Sequence, residues 1–187
     1  EQAHEPRDER DRQRAPPVRI RGIGGTYQRE TGSDIWLMAP DGSGAKPLVQ
    51  SAFDEVQGQV SPDGRWLAYT SLETGQAEVY IRNLTDGNQR WQVSAGGGAD
   101  PRWRGDSREL FYISADSRLT GVAFTDGRPA PPKPLFAVRL APPGTPYLSN
   151  YDVTRDGQRF LMKVPVHDVT TTPIHVVTNW LATRSGQ

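Results

Sequence analysis

Few side chains in this sequence are equipped for chemistry, and most of those that are stand where a chain turns. Three histidines occur, at His4, His167 and His175, and there are no cysteines. Thiolate zinc sites, cysteine nucleophiles and disulfides are therefore excluded together. A serine-based acyl transfer would take Ser107 as nucleophile, His167 or His175 as base and Asp168 as orienting carboxylate. That chemistry needs the hydroxyl hydrogen-bonded to an oriented imidazole, with N–H donors for the oxyanion. No glycine-flanked serine elbow is present, and Ser107 stands where the neighbouring repeats carry a turn glycine. Asp63, Asp106 and Asp156 could each face a cation, but each is alone in its own turn, so the expectation is a turn-stabilising role and no metal. Gly96-Gly97-Gly98, followed by Asp100, could bring backbone N–H groups to a ligand, or could make a tight crossing between two layers of strands. No cofactor is implied by any of these residues.

The elements that must position them are organised by one stretch, Ser61-Pro62-Asp63-Gly64-Arg65-Trp66-Leu67-Ala68-Tyr69-Thr70-Ser71. Pro62 presets the second position of a type I turn, Asp63 can accept from nearby backbone N–H groups, and Gly64 tolerates a left-handed exit. Trp66 to Thr70 then reads as a short buried strand. The pattern returns at Arg104 to Ser114 and at Thr154 to Val164, with the turn aspartates spaced 43 and then 50 residues apart. Between the first two copies lie the strands Glu78 to Leu84 and Arg90 to Ser94. After the second come Leu119 to Phe124 and Pro134 to Val138, with Thr125-Asp126-Gly127 repeating Thr85-Asp86-Gly87.

A period of about 40 to 50 residues with four strands in each repeat is the signature of a β-propeller. Leu67-Ala68-Tyr69, Leu110-Phe111-Tyr112 and Phe160-Leu161-Met162 are apolar on both strand faces, as strands buried between neighbouring blades require. The expected fold is all-β, a partial β-propeller of about three to four four-stranded blades. Residues 1–25 are expected to be a charged, disordered tail, ending in Gly22-Ile23-Gly24-Gly25 as a flexible joint. Propeller repeats are expected over 26–187: a partial blade at 34–51, blades at 56–94 and 100–138, and a partial blade at 147–182.

The bulk composition fits. The 187 residues suffice for one domain, and 19 Gly with 16 Pro suit many turns and few long helices. Lys and Arg number 22 against 22 Asp and Glu, so no global field draws nucleic acid or an anionic membrane. No run of about 18 apolar residues predicts a membrane span, and no signal-peptide pattern opens the chain.

These repeats resemble the TolB-like propeller family, marked by a Ser-Pro-Asp-Gly-(Arg/Lys) turn before a blade's second strand. Positions 61 to 65 match it in full, while 104 to 108 and 154 to 158 keep the aspartate and lose the proline. The stretch from Asp34 to Trp180 is also similar to the C-terminal part of propellers fused behind bacterial serine/threonine kinase domains, although no kinase motif is present. Gly105-Asp106-Ser107 resembles the nucleophile block of one esterase family. The propeller resemblance implies a non-catalytic module for protein or ligand binding, the sensor or scaffold part of a larger bacterial protein, and a periplasmic or extracytoplasmic location. The alternative is an esterase-like hydrolase.

Binding is expected on the face made by the blade-to-blade loops Ser51 to Glu55, Ala95 to Asp100 and Ala141 to Asn150, together with Leu72 to Gln76 and Val166 to Thr172. Gly96, Gly97, Gly98, Asp100, His167 and Asp168 are the candidate binding residues there. Asp63, Gly64, Asp106, Asp156 and Gly157 are the structural turn residues. Open strand edges imply association with further copies; neither nucleic acid nor a membrane span is expected.

Overall fold

The computed structural model describes residues 23–28, 32–85, 87–140 and 149–165, and every regular element among them is a strand. The organising turn closes as its residue types require. The Ser61 carbonyl accepts from Gly64 N–H at 2.8 Å, Asp63 Oδ1 accepts from Arg65 N–H at 3.1 Å, and Gly64 exits at φ 75°. The Ser61 hydroxyl accepts from Trp66 N–H at 2.9 Å, joining the turn to the strand it launches.

That strand, β5 (Trp66–Ser71), is the second of a four-stranded antiparallel blade with β4 (Glu55–Val60), β6 (Glu78–Asn83) and β7 (Arg90–Gln92). The next blade holds β8 (Gly98–Trp103), β9 (Glu109–Ser114) and β10 (Arg118–Thr125), with β11 (Arg128–Pro129) and β12 (Lys133–Ala137) both paired to β10. Asp126 and Gly127 both have positive φ, the geometry a two-residue hairpin needs to link β10 to β11. Before these blades stands a three-stranded sheet of β1 (Ile23–Gln28), β2 (Gly32–Leu37) and β3 (Lys46–Val49), and after them the pair β13 (Tyr151–Val153) and β14 (Phe160–Met162). We refer to the four sheets as blades one to four; together they form a partial β-propeller.

The blades are joined by side chains on alternate strand faces. Leu67, Tyr69 and Tyr80 of blade two meet Ile35 and Val49 of blade one. On its other face Trp66, Ala68, Val79 and Ile81 meet Trp103, Leu110, Tyr112, Val122 and Phe124 of blade three. Phe111 and Leu119 of blade three then meet Tyr151, Val153, Phe160 and Met162 of blade four.

The structure corrects two expectations. Ile23-Gly24-Gly25 is not a flexible joint: it opens β1 and pairs with Leu37, Trp36 and Ile35 of β2. A ladder of main-chain hydrogen bonds does not require side chains to bury, so a glycine-rich segment can still be a strand. Glu55, Gly98 and Asp100, assigned to loops, belong to the inner strands β4 and β8. Residues 1–22 of the expected tail and residues beyond 165 of the last partial blade lie outside the described residues.

Candidate binding face

The inner strands carry a repeated polar device six residues before each turn aspartate. Gln57 in β4 and Asp100 in β8 sit in left-handed conformation, at φ 56° and 60°, where each strand slips register against its partner. Gln57 Oε1 accepts from the N–H of Asp100 at 2.8 Å, reaching from blade two to blade three. Asp100 Oδ2 in turn accepts from the N–H of Asn150 at 2.7 Å, reaching from blade three to blade four. The buried Asp100 carboxylate also takes the Ser149 hydroxyl at 2.8 Å and the Arg102 guanidinium at 3.0 Å. Positions 57, 100 and 150 keep the 43- and 50-residue spacing of the turn aspartates. Asp100 is thus a clamp between blades.

The glycine run is likewise engaged within the fold. Gly97 N–H donates to Glu78 Oε1 at 2.9 Å and Gly98 N–H to the Ala77 carbonyl at 2.8 Å. Glu78 Oε2 also accepts from the Ser94 hydroxyl, so one buried carboxylate ties both ends of the crossing to the start of β6. A Cβ on Gly97 would come within 2.7 Å of Ala115 Cβ, and one on Gly98 within 2.7 Å of Ser94 Cβ. Close packing therefore requires glycine at both places. Gly96 is different, exposed at φ 80° with open space around it.

At the opposite end of the blades the turns also touch one another. Ser107 takes the place of Gly64 and Gly157 and shares their left-handed conformation, at φ 62° against 75° and 73°. It is only 8% exposed, and its Oγ accepts from Asp63 N–H across the blade boundary at 3.0 Å. Asp106 is gripped by the Arg104 guanidinium at 2.7 and 2.8 Å, which holds its carboxyl down at about 2. The Thr154 hydroxyl and Gln158 N–H on Asp156 lower that carboxyl too. His167, Asp168 and His175 lie outside the described residues. Among the described residues, no group of three or more histidines, aspartates or glutamates is arranged to hold a metal ion. Among the described residues no helix is long and apolar enough to cross a membrane.

On the crossing-loop face, over blades one and two, two large apolar side chains stay open to solvent. Phe53, 46% exposed, and Leu72, 38% exposed, come from adjoining loops joined by the Leu72 N–H to Asp54 carbonyl bond at 3.1 Å. Asp54 Oδ1 accepts from Ser33 N–H at 2.7 Å, fixing the Phe53 loop against blade one. Beside Leu72, Glu73 pairs with Arg90 at 2.6 Å, and Arg90 lies 3.9 Å from the centre of the Tyr80 ring. Burial, and then the Glu73 carboxylate, push the Tyr80 phenol well above its ordinary range. Glu55 closes the inner side: one carboxylate oxygen takes the Ser51 hydroxyl at 2.5 Å, and burial raises its carboxyl above the ordinary value. The result is an apolar pair set on a rigid polar rim, suited to recognition. Sequence reasoning put the loops Ser51 to Glu55 and Leu72 to Gln76 on this face but singled out neither Phe53 nor Leu72 within them, and it missed Gln57. Phe53 and Leu72 carry no periodic signal, whereas Gln57 is visible in the repeat spacing.

Four-stranded blades, each launched by an Asp-centred turn and locked to the next by an inner-strand clamp, define a β-propeller. No family model matches the chain. A curated relative, Protein TolB homolog of Chlorobium chlorochromatii (strain CaD3), is 32% identical over 89 residues, which is 46% of this chain and 20% of that protein. The chain thus matches about a fifth of the length of this relative. A solved TolB structure from Agrobacterium tumefaciens shares the fold at a TM-score of 0.50 and 21% identity, over 61% of this chain and 44% of that one. TolB from Acinetobacter baumannii gives a TM-score of 0.35 at 15% identity, over 71% and 43% of the two chains. The chain has a β-propeller fold, and its sequence is similar to a TolB homolog over those 89 residues.

Proposed function

We propose that this chain is a binding module that recognises a protein or small ligand through its crossing-loop face, with no chemistry of its own. The observation that carries this reading is the exposed pair Phe53 and Leu72, held on main-chain hydrogen bonds beside the Glu73–Arg90 rim. Large apolar side chains fixed at a protein surface beside polar groups are the usual make-up of a recognition hot spot. Gly96, exposed in the crossing between blades two and three, extends the same face. In a larger bacterial protein the module would serve as a sensor or scaffold outside the cytoplasm, the role its resemblance to kinase-fused propellers implies. Its open blade ends would pair with further copies.

The hydrolase reading draws less support. Ser107 Oγ is buried and already accepts the Asp63 N–H, leaving it poorly placed to attack an ester. One experiment separates the two. Peptides selected from a displayed random library against the whole chain are expected to lose about tenfold or more in affinity on Phe53→Ser with Leu72→Ser, the loss of a hot-spot contact. They are expected to bind Ser107→Ala unchanged. Turnover of p-nitrophenyl esters that Ser107→Ala abolishes, or peptide binding indifferent to the Phe53 and Leu72 changes, would overturn the proposal.

A further inference from the structure

The crossing-loop face is as distinctive in its charge as in its apolar pair. Residues 32–35, 50–55 and 71–78, where blades one and two reach this face, hold five carboxylates and neither lysine nor arginine. The carboxylates are Asp34, Asp54, Glu55, Glu73 and Glu78. The turns at the opposite end differ: residues 61–66, 104–109 and 154–159 hold five arginines against four carboxylates. A chain of zero formal net charge thus gathers negative charge around Phe53 and Leu72.

Part of this charge is answered within the fold and part is not. Glu78 takes the Ser94 hydroxyl and the Gly97 N–H, and Glu73 is paired with Arg90. Asp54 meets a neutral donor, the Ser33 N–H at 2.7 Å. Glu55 is the least satisfied. It is 2% exposed, one of its oxygens takes the Ser51 hydroxyl, and Oε2 has no hydrogen-bond partner. Burial, and then the nearby Asp34 and Glu73 carboxylates, raise its carboxyl. The repeat does not require an acid there, because Gly98 stands in the same place 43 residues on. Glu55 also lies directly behind the apolar pair. The Ser51 hydroxyl that bonds it accepts from the Phe53 N–H at 3.1 Å, and Glu55 pairs in register with Ser71, the residue before Leu72.

A buried carboxylate is screened little by salt, so its field reaches the surface above it. Apolar groups set over such a field match a side chain with an aliphatic stem and a cationic tip, as in lysine and arginine. We propose that the partner of this face is a basic segment of another protein, in which a lysine or arginine stands beside an apolar residue. The apolar residue packs on Phe53 and Leu72, and the cation meets the Asp54 and Glu73 carboxylates with Glu55 behind them. This rests on the crossing-loop reading above and supplies the chemistry of its ligand.

The test uses the whole chain and peptides selected against it from a displayed random library. The selected sequences are expected to hold more lysine and arginine than aspartate and glutamate, next to their apolar positions. One such peptide should bind about fivefold more weakly to the chain carrying Asp54→Asn with Glu73→Gln, the worth of exposed charge pairs. An unchanged far-ultraviolet spectrum shows that this variant is folded. A second measurement needs no variant. Raising the salt from about 0.1 M to about 1 M shortens the screening length from about 10 Å to about 3 Å and should weaken binding to the wild type. Selected peptides that are neutral or acidic, or an affinity indifferent to both the double change and salt, overturn this inference. If those peptides still lose affinity on Phe53→Ser with Leu72→Ser, the crossing-loop reading stands without it. Binding indifferent to the Phe53 and Leu72 changes overturns both.

Discussion

The boundary between blades two and three and the boundary between blades three and four are built on the same register but not with the same material. At the first, Phe124 sets its ring edge-on to Trp66 at 5.0 Å and to Trp103 at 5.3 Å, with Trp91 alongside. At the second, aliphatic side chains and Met162 surround two edge-on pairs that share Phe160, with Phe111 at 5.1 Å and with Phe136 at 5.8 Å. The polar parts run the other way. Blade three is held to blade two by Gln57, a neutral side chain, and to blade four by Asp100, a buried carboxylate with three partners. The first boundary depends on a cluster of tryptophans around Phe124, the second on phenylalanines together with a charged clamp. In a repeat architecture, where each unit is stabilised by its neighbours, such differences decide which end opens first.

Phe124→Ala should give the largest loss, about 3 to 5 kcal/mol, since it removes the ring on which two tryptophans rest. Urea unfolding followed by tryptophan fluorescence measures it. Asp100→Ala should cost about 3 kcal/mol by stranding the largely buried Arg102 charge and the Asn150 N–H. Its effect should centre on β13 and β14, so limited proteolysis should cut after Arg155 or Arg159 before any site in blade two. Equal damage to blade two would remove the distinction between the boundaries.

Ser107→Ala should cost about 1 kcal/mol, the value of one hydrogen bond across blades two and three. Ser107→Gly should come close to neutral, because the lost bond is offset by relief of the left-handed backbone. A Gly variant as damaging as the Ala variant would mean that the conformation carries no strain.

The smallest effect expected is electrostatic. Burial raises the Glu55 carboxyl, so the folded state binds its proton more tightly than the unfolded chain does. Glu55 therefore works against stability as pH rises from the ordinary carboxylate value through its raised one. Glu55→Gln should unfold later than the wild type at neutral pH, the gap closing in acid. Asp106 has the opposite sign: held down at about 2 by Arg104, it supports the fold above the ordinary carboxylate value and loses that support as pH falls toward 2. Chemical unfolding across that range, with and without Asp106→Asn, checks the direction.

Much of this fold is legible in the chain because the turns are chemical necessities. Asp63, Asp106 and Asp156 mark three turns by type and spacing, and a serine at 107 among glycines announces itself as an exception. That this serine reaches into the neighbouring turn is a property of the blade stacking, which no local pattern contains. β1 is hidden for another reason: two of the three residues Gly24-Gly25-Thr26 have no side chain to show a period, and its pairing is all backbone. The inner-strand clamp lies between these cases. Gln57, Asp100 and Asn150 have different side chains but one spacing, so it is visible only once the register is known. Phe53 and Leu72 are isolated apolar residues in polar loops, and only the fold brings them together.

The central claim is that the blades are stabilised pairwise, most strongly between two and three and least at blade four. Native-state hydrogen exchange of the whole chain tests it most directly. The account predicts that the amides of β5, β6 and β9 exchange only with global unfolding, while those of β13 and β14 open earlier and are released further by Asp100→Ala. Equal protection across blades two, three and four, unchanged by Asp100→Ala, would contradict it.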